Sequence, residues 1–256
     1  MISSGIYTNQ QGRIVVRTLF HFLDDGLEEN INRKILDKYR AFKIITGVIG
    51  VGNRYFAINA PYVSAVNEFA MQEGYEVINQ ADLEQIRREN LLNIEGKAFY
   101  TSLVLASLDK PDNEPDRFIP NRQIAEGLRD QLGFDLSRGK QAVIPISELE
   151  LVRDRKLRPY GLGFKLKSRP TIFATNMFAR DREILFRDDY VDKESGLPVR
   201  GDNLQEVEDG MGYRSLFSLG SGLSVLTTDI DGSVGCWNPD MFTNYKRGRI
   251  ILKKVD

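Results

Sequence analysis

The sequence predicts an α+β fold in which a helix-containing N-terminal half packs on a mostly antiparallel C-terminal β-sheet or partial barrel. Three observations carry that expectation. Apolar residues recur at helical spacing through Leu27, Ile31, Ile35, Tyr39, Phe42 and Ile45, and again at Ile124, Leu128 and Leu132. From Tyr160 onward the texture changes to short β-favouring runs separated by turn residues. Hydrophobic residues make up 41% of the chain and charged residues 28%, which supplies enough apolar surface to offset the entropy of ordering. A chain of 256 residues admits one or two domains. The change of texture divides it into a mixed α/β half at 1–158 and a β-rich half at 159–256, unless the two are one continuous domain.

In order along the chain, Arg13 to Phe22 alternates and then runs apolar, as a strand with one buried face does. The helix from Leu27 to Ile45 follows, with Asp25 and Glu28 spaced as a capping box and Gly47 as its stop. Pro61 opens a second helix, whose inner face carries Val63, Val66 and Phe69 and which Gly74 ends. A short strand at Tyr75 to Ile78 and a polar helix from about Asp82 come next. Ala98 to Leu108 reads as a buried strand. Pro111, Pro115 and Pro120 among acidic residues make 109–120 an exposed loop. After the helix that Gly133 closes, Ser147 and Glu150 are spaced to open a short helix. The β-favouring runs are Phe164 to Leu166, Thr171 to Phe178, Glu183 to Phe186, Leu216 to Leu219, Leu223 to Thr228 and Arg249 to Val255. A long acidic loop at 188–211 interrupts them, of a length usually reserved for function or disorder.

Charge and composition exclude several chemistries. Lys and Arg total 35 against 36 Asp and Glu, so the chain as a whole is no polycation seeking nucleic acid. No apolar run approaches the roughly 20 residues of a membrane span, and Met1 to Gln11 lacks the pattern of a secretory signal. A single cysteine, Cys236, and a single histidine, His21, supply neither an internal disulfide nor a Cys/His zinc site, and point to a reducing, cytoplasmic compartment. His21 lies within an apolar run and Cys236 beside Trp237, so both read as packed residues rather than a nucleophile and its base. Gly47, Gly50 and Gly52 follow a helix and precede a strand, the reverse of the order a phosphate-cradling dinucleotide turn requires. No cofactor is expected.

Three features remain. The first is basic: Arg153, Arg155, Lys156, Arg158, Lys165, Lys167 and Arg169, interleaved with Tyr160 and Phe164 and opposed by Asp154 alone. Cations track phosphates and aromatic faces stack bases, so single-stranded nucleic acid is a sensible partner. If Phe164 and Leu166 face inward, the lysines between them are simply the solvent face of a strand. The second feature is acidic: Asp188, Asp189, Asp192, Glu194, Asp202, Glu206, Glu208 and Asp209, which can meet a basic patch on a neighbouring copy or within the same one.

The third is Asp229-Ile-Asp-Gly-Ser233. Over these five residues the chain resembles the nucleophile motif of haloacid-dehalogenase-type phosphotransferases, which implies attack on phosphorus by Asp229 and acid/base work by Asp231. That family places its other motifs downstream, where only about two dozen residues follow here. The same carboxylates could start a calcium loop, although Ser233, Trp237 and Asp240 stand at the later ligand positions and no closing Glu is present. An Asp-Gly hairpin turn accounts for the residues most simply.

The leading functional expectation is therefore a non-enzymatic structural or assembly subunit of a larger complex, of viral or phage type, located in the cytoplasm or in a virion assembled there. Protein partners in a homo- or hetero-oligomer would contact the acidic loop, with Lys246, Arg247, Arg249, Lys253 and Lys254 as a second basic group. The alternatives are a nucleic-acid-binding module using the basic segment and a Mg²⁺-dependent phosphotransferase or hydrolase at Asp229 and Asp231. No membrane partner is expected.

Overall fold

A computed structural model describes residues 6–8, 14–16, 20–23, 25–42, 45, 59–94, 97–108, 119–133, 136, 141–156, 161–167, 173–175, 184–203, 213–219, 222–229, 232–237 and 248–255. The architecture is α+β. Four helices and a large mixed sheet dominate the described residues, accompanied by two separate two-stranded ladders.

The helices form where capping and periodicity agree. Helix α1 (Asp25–Tyr39) buries Ile31, Ile35 and Tyr39 and ends earlier than the apolar spacing suggests. Phe42 N bonds back to Tyr39 O and Ile45 N to Phe42 O, so tighter three-residue turns carry the same apolar stripe onward. Gly47, its expected stop, lies outside the described residues. Helix α2 (Ala60–Gln72) starts at Asn59, whose side chain accepts from Tyr62 N, and carries Pro61 in its first turn. Helix α3 (Gln80–Glu89) begins two residues before the expected start. Its capping box is reciprocal: Asn79 Oδ1 accepts from Asp82 N, and Asp82 Oδ2 accepts from Asn79 N. Helix α4 (Ile119–Leu132) buries Ile124, Leu128 and Leu132, as its spacing predicts.

Strand β5 (Ala98–Ser107) is the axis of the large sheet. It pairs antiparallel with β13 (Gly222–Thr228) along one edge. On its other edge, its first residues pair parallel with β15 (Gly248–Lys254) and its last residues antiparallel with β6 (Gln141–Pro145). Beyond β13 lie β14 (Val234–Trp237), β12 (Arg214–Leu219), β10 (Ile184–Phe186) and β11 (Asp202–Asn203) in turn. Beyond β15 lie β3 (Phe20–Phe22) and β4 (Tyr75–Val77), and β6 also holds β9 (Phe173–Thr175). Only the β12–β14 and β5–β15 pairings are parallel among the described residues, so the sheet is mostly antiparallel as the sequence predicts. The predicted strand from Arg13 to Phe22 is divided: β2 (Ile14–Val16) pairs with β1 (Ile6–Thr8), whereas β3 joins the large sheet.

One expectation needs correction. Ser147 and Glu150 open no helix: Ile146–Glu148 is a single 3-10 turn leading into β7 (Leu149–Arg153), which pairs with β8 (Leu162–Leu166). Leu149 and Leu151 sit opposite Leu166 and Phe164, and period-2 apolar pairing of this kind outweighs a capping signal three residues long. The expected division near residue 158 falls between β7 and β8, the two strands of this ladder.

Alternation along β5 sets the two sides of the sheet. Tyr100, Val104 and Ala106 face the main core beneath α1, α2 and α4, while Leu103 and Leu105 face a second cluster with Phe186, Leu197, Leu216, Leu226 and Val234. A third cluster of Phe20, Ile78, Leu83, Ile86, Leu92, Phe99 and Ile251 seats α3 against the β3–β15 region. Burying each such aliphatic or aromatic side chain contributes about 1.5–3 kcal/mol. No described helix is long and apolar enough to cross a membrane.

Candidate functional site

Backbone pairing explains the basic segment. In the β7–β8 ladder Lys165 stands opposite Glu150, and Leu151 opposite Phe164, so charged and apolar residues alternate between the two faces. Lys165 and Lys167 are exposed, as are Arg153, Arg155 and Lys156. Asp154 Oδ1 accepts from Lys156 N (2.9 Å) and shapes the chain after β7, while the Arg153 guanidinium lies 5.5 Å from the Phe42 ring centre. Phe164 is only 4% exposed and belongs to the main core. As a stacking surface for a base it is therefore corrected: its ring is occupied by the interior. Gln131 fastens β8 to α4, donating to Phe164 O (3.1 Å) and accepting from Leu166 N (3.0 Å). Arg158, Tyr160 and Arg169 lie outside the described residues.

The acidic segment is folded against the body of the protein. A 3-10 turn at Asp188–Tyr190 leads to a bridge between Val191 and Pro198, closing a small loop in which Ser195, Gly196, Leu197 and Pro198 are buried. Asp192 Oδ1 accepts from Ser195 N and Ser195 Oγ, both at 2.7 Å, and from Glu194 N at 3.1 Å. These donors hold its carboxyl below the usual carboxylate range. Gly196, at φ +72°, lies so close to α3 that a Cβ there would stand 2.3 Å from Ala81 N. Asp189 pairs with Arg187 (3.0 Å), whose cation its charge further stabilises. Glu194 is exposed. Asp202 lies in β11, while Glu206, Glu208 and Asp209 lie outside the described residues.

Asp188 reaches a buried network that the sequence reading did not single out. Arg214 grips Glu84 with both terminal guanidinium nitrogens, Nη1 to Oε1 at 2.8 Å and Nη2 to Oε2 at 3.1 Å, and Nη1 also donates to Gly232 O. The two side chains are 5% and 9% exposed. Arg214 Nε lies 2.8 Å from Asp188 Oδ1, but its N–H is turned off the oxygen and finds no acceptor among the described residues. The guanidinium also lies 4.6 Å from the Phe186 ring centre. Gln80 Nε2 donates to Glu84 Oε1, and Thr228 Oγ1 donates to Gln80 Oε1. Arg87 closes the outer end through Asp188 (3.2 Å). One signal for this network exists in the sequence. Arg214 and Leu216 are two apart on a strand and share its inward face, and Gln80, Glu84 and Arg87 share one side of α3.

Asp229 occupies the turn between β13 and β14, where Thr228 pairs with Val234. Gly232 N donates to Asp229 O and Asp229 N to Ser233 O, with Gly232 at φ +84°. These bonds close the connection of the antiparallel β13–β14 pair. Asp231 lies outside the described residues. The described residues contain no group of three or more His, Cys, Asp or Glu side chains placed to hold a metal.

Beside this turn lies a cleft of about 520 Å³ between α3, the segment after it, the start of β5 and the β13–β14 connection. Leu83, Leu92, Ile94 and Phe99 provide its apolar surface, while Arg87, Lys97, Asn90, Asn93 and Asp229 provide its polar groups. Its size falls in the range of small-molecule sites. Set beside known protein families, curated proteins and solved structures, the chain matches none.

Proposed function

We propose that this protein is a non-enzymatic structural subunit of a larger assembly, of the viral or phage type, and that its N-terminal segment supplies an intersubunit contact. The observation that carries the reading is the β1–β2 ladder. Ile6–Thr8 and Ile14–Val16 pair with each other, and among the described residues with no strand of the large sheet. A two-stranded ribbon alone is marginal in water and gains from pairing or packing against another surface. A second copy or a partner subunit provides that surface in the proposed role. The test is the native mass of the full chain by light scattering at high micromolar concentration over a range of salt, beside a variant lacking residues 1–16. The reading expects a multimer that falls to monomer on deletion without loss of the main unfolding transition. A monomeric full chain that captures no partner in native isolation from its source would overturn it.

A second reading, nucleic-acid binding, is favoured by the exposure of Arg155, Lys156, Lys165 and Lys167 around one ladder. It expects oligonucleotide affinity that falls steeply with salt and is lost on joint replacement of Arg155 and Lys156. Salt-insensitive or absent binding counts against it.

A further inference from the structure

Among the described residues the β7–β8 ladder pairs with no strand of the large sheet, so each of its two strands has an outer edge. Such an edge is a row of backbone donors and acceptors onto which another extended chain can add. Its two ends set which groups face outward. Lys167 N donates to Glu148 O at 2.9 Å and Asp154 N to Gly161 O at 3.0 Å, and the register between them is unbroken. Antiparallel residues alternate between bonded and non-bonded pairs, so Gly163 and Lys165 turn their backbone groups toward β7. Leu162, Phe164 and Leu166 turn theirs outward.

The position beside Lys165 on that outer edge is filled by a side chain. Gln131 Nε2 donates to Phe164 O (3.1 Å), and Gln131 Oε1 accepts from Leu166 N (3.0 Å). One residue of a parallel neighbouring strand makes the same pair of bonds. Its N–H goes to the carbonyl before the residue it faces, and its C=O takes the N–H after it. Gln131 Nε2 also donates to Gly127 O at 3.0 Å, one turn back on α4, so the amide is held in place by its own helix. The residue is exposed, and the contact is made at the surface rather than in the core. On the other strand the first outward amide is closed as well, Leu149 N donating to Ile146 O.

We infer that Gln131 is a plug: its amide fills a strand position on the β8 edge and keeps that edge from pairing in parallel with an extended segment of a second copy of this chain. Lys165 and Lys167, exposed on either side of Leu166, act in the same sense, since charge along an edge opposes pairing. The inference does not rest on the assembly reading, whose contact is the N-terminal ribbon.

The experiment measures backbone hydrogen exchange and light-scattering mass on the full chain, unmodified and as Gln131→Leu. In the unmodified chain the outward-facing Leu166 amide is expected to exchange within about tenfold of the Lys167 amide inside the ladder. In Gln131→Leu it is expected to exchange about fivefold faster or more, the worth of one ordinary hydrogen bond, while Lys167 keeps its rate. The same variant is expected to gain mass with concentration beyond what the unmodified chain shows. Gln131→Glu keeps an acceptor for Leu166 N and sets a charge on the edge, so it should retain both the slow Leu166 exchange and the unmodified mass. Gln131→Asn, shorter by one carbon, withdraws the amide from the edge and serves if the leucine variant folds poorly. Fast exchange at Leu166 in the unmodified chain overturns the inference. So does a Leu166 rate or a mass in Gln131→Leu that follows the unmodified chain, which would leave Gln131 as a tether between α4 and β8. Equal association of the leucine and glutamate variants would place the new contact elsewhere and overturn it too. Failure of the assembly reading changes none of these comparisons, because each is read against the unmodified full chain.

Discussion

The basic β7–β8 ladder and the acidic segment after β10 are similar in length and charge density in the sequence, yet the fold uses them in opposite ways. The ladder keeps its cations in solvent: Arg155, Lys156, Lys165 and Lys167 surround a short antiparallel pair whose apolar face is turned inward. The acidic segment applies its charge to the protein itself. Asp188 meets Arg87 and Arg214, Asp192 organises the turn that buries Ser195, and Gly196 lies against the start of α3. Charge density in a sequence thus reports neither exposure nor purpose. What decides is whether an opposite charge from another element arrives at the same depth.

The largest effect that tests this contrast comes from Arg214→Met. Glu84 would then stay buried without its cation, and a loss of about 3–5 kcal/mol is expected in urea unfolding. Adding Glu84→Leu should recover most of it, because the cost is that of an unmatched charge. If Arg214→Met unfolds no more easily than a substitution on the ladder, the internal role of this network is refuted. Gly196→Ala comes next. Its Cβ would meet the backbone at Ala81 at a positive φ, so a loss of roughly 2–4 kcal/mol is expected. An unchanged midpoint would mean that the acidic segment is not seated on α3.

A subtler test uses acid. The Asp192 carboxyl is depressed by its bonds from Ser195 and Glu194, so in the folded chain it stays ionised at a lower pH than in the unfolded one. Its stabilising contribution is present above the unfolded value of about 4 and is lost as pH falls through the folded value. Asp192→Asn should flatten that acid limb of the stability curve, and an identical limb in the variant contradicts the assignment. The smallest effect belongs to the ladder. Joint Arg155→Gln and Lys156→Gln should leave stability within about 0.5 kcal/mol, and a larger loss would place those cations in the body of the fold after all.

Much of the architecture was legible because it rests on local signals. The apolar spacing of α1 and α4, Pro61 and Gly74 around α2, and the apolar run of β5 each announce an element whose packing follows from its own residues. Strands β6 and β7 were less legible: Gln141–Pro145 is a short apolar run with little alternation, and the capping spelling at Ser147 competes with cross-strand pairing supplied by residues more than ten positions away. The site was less legible still. Glu84 and Arg214 are separated by 130 residues, and their pairing depends on the sheet order that brings β12 beneath α3. Sequence periodicity gives the face a residue occupies, but not which distant residue shares it.

The placement of β15 between β3 and β5 makes distant parts of the chain depend on it. Strands β3 and β4, early in the sequence, pair with residues 251–254, and residues 98–100 of β5 align with residues 248–250. Without β15 the sheet beside α1, α2 and α4 lacks the member that joins β3 and β4 to β5. Ile251 of β15 completes the apolar cluster that Phe20, Ile78 and Phe99 line. Removing residues 248–255 is accordingly expected to uncover this cluster and to abolish the main unfolding transition.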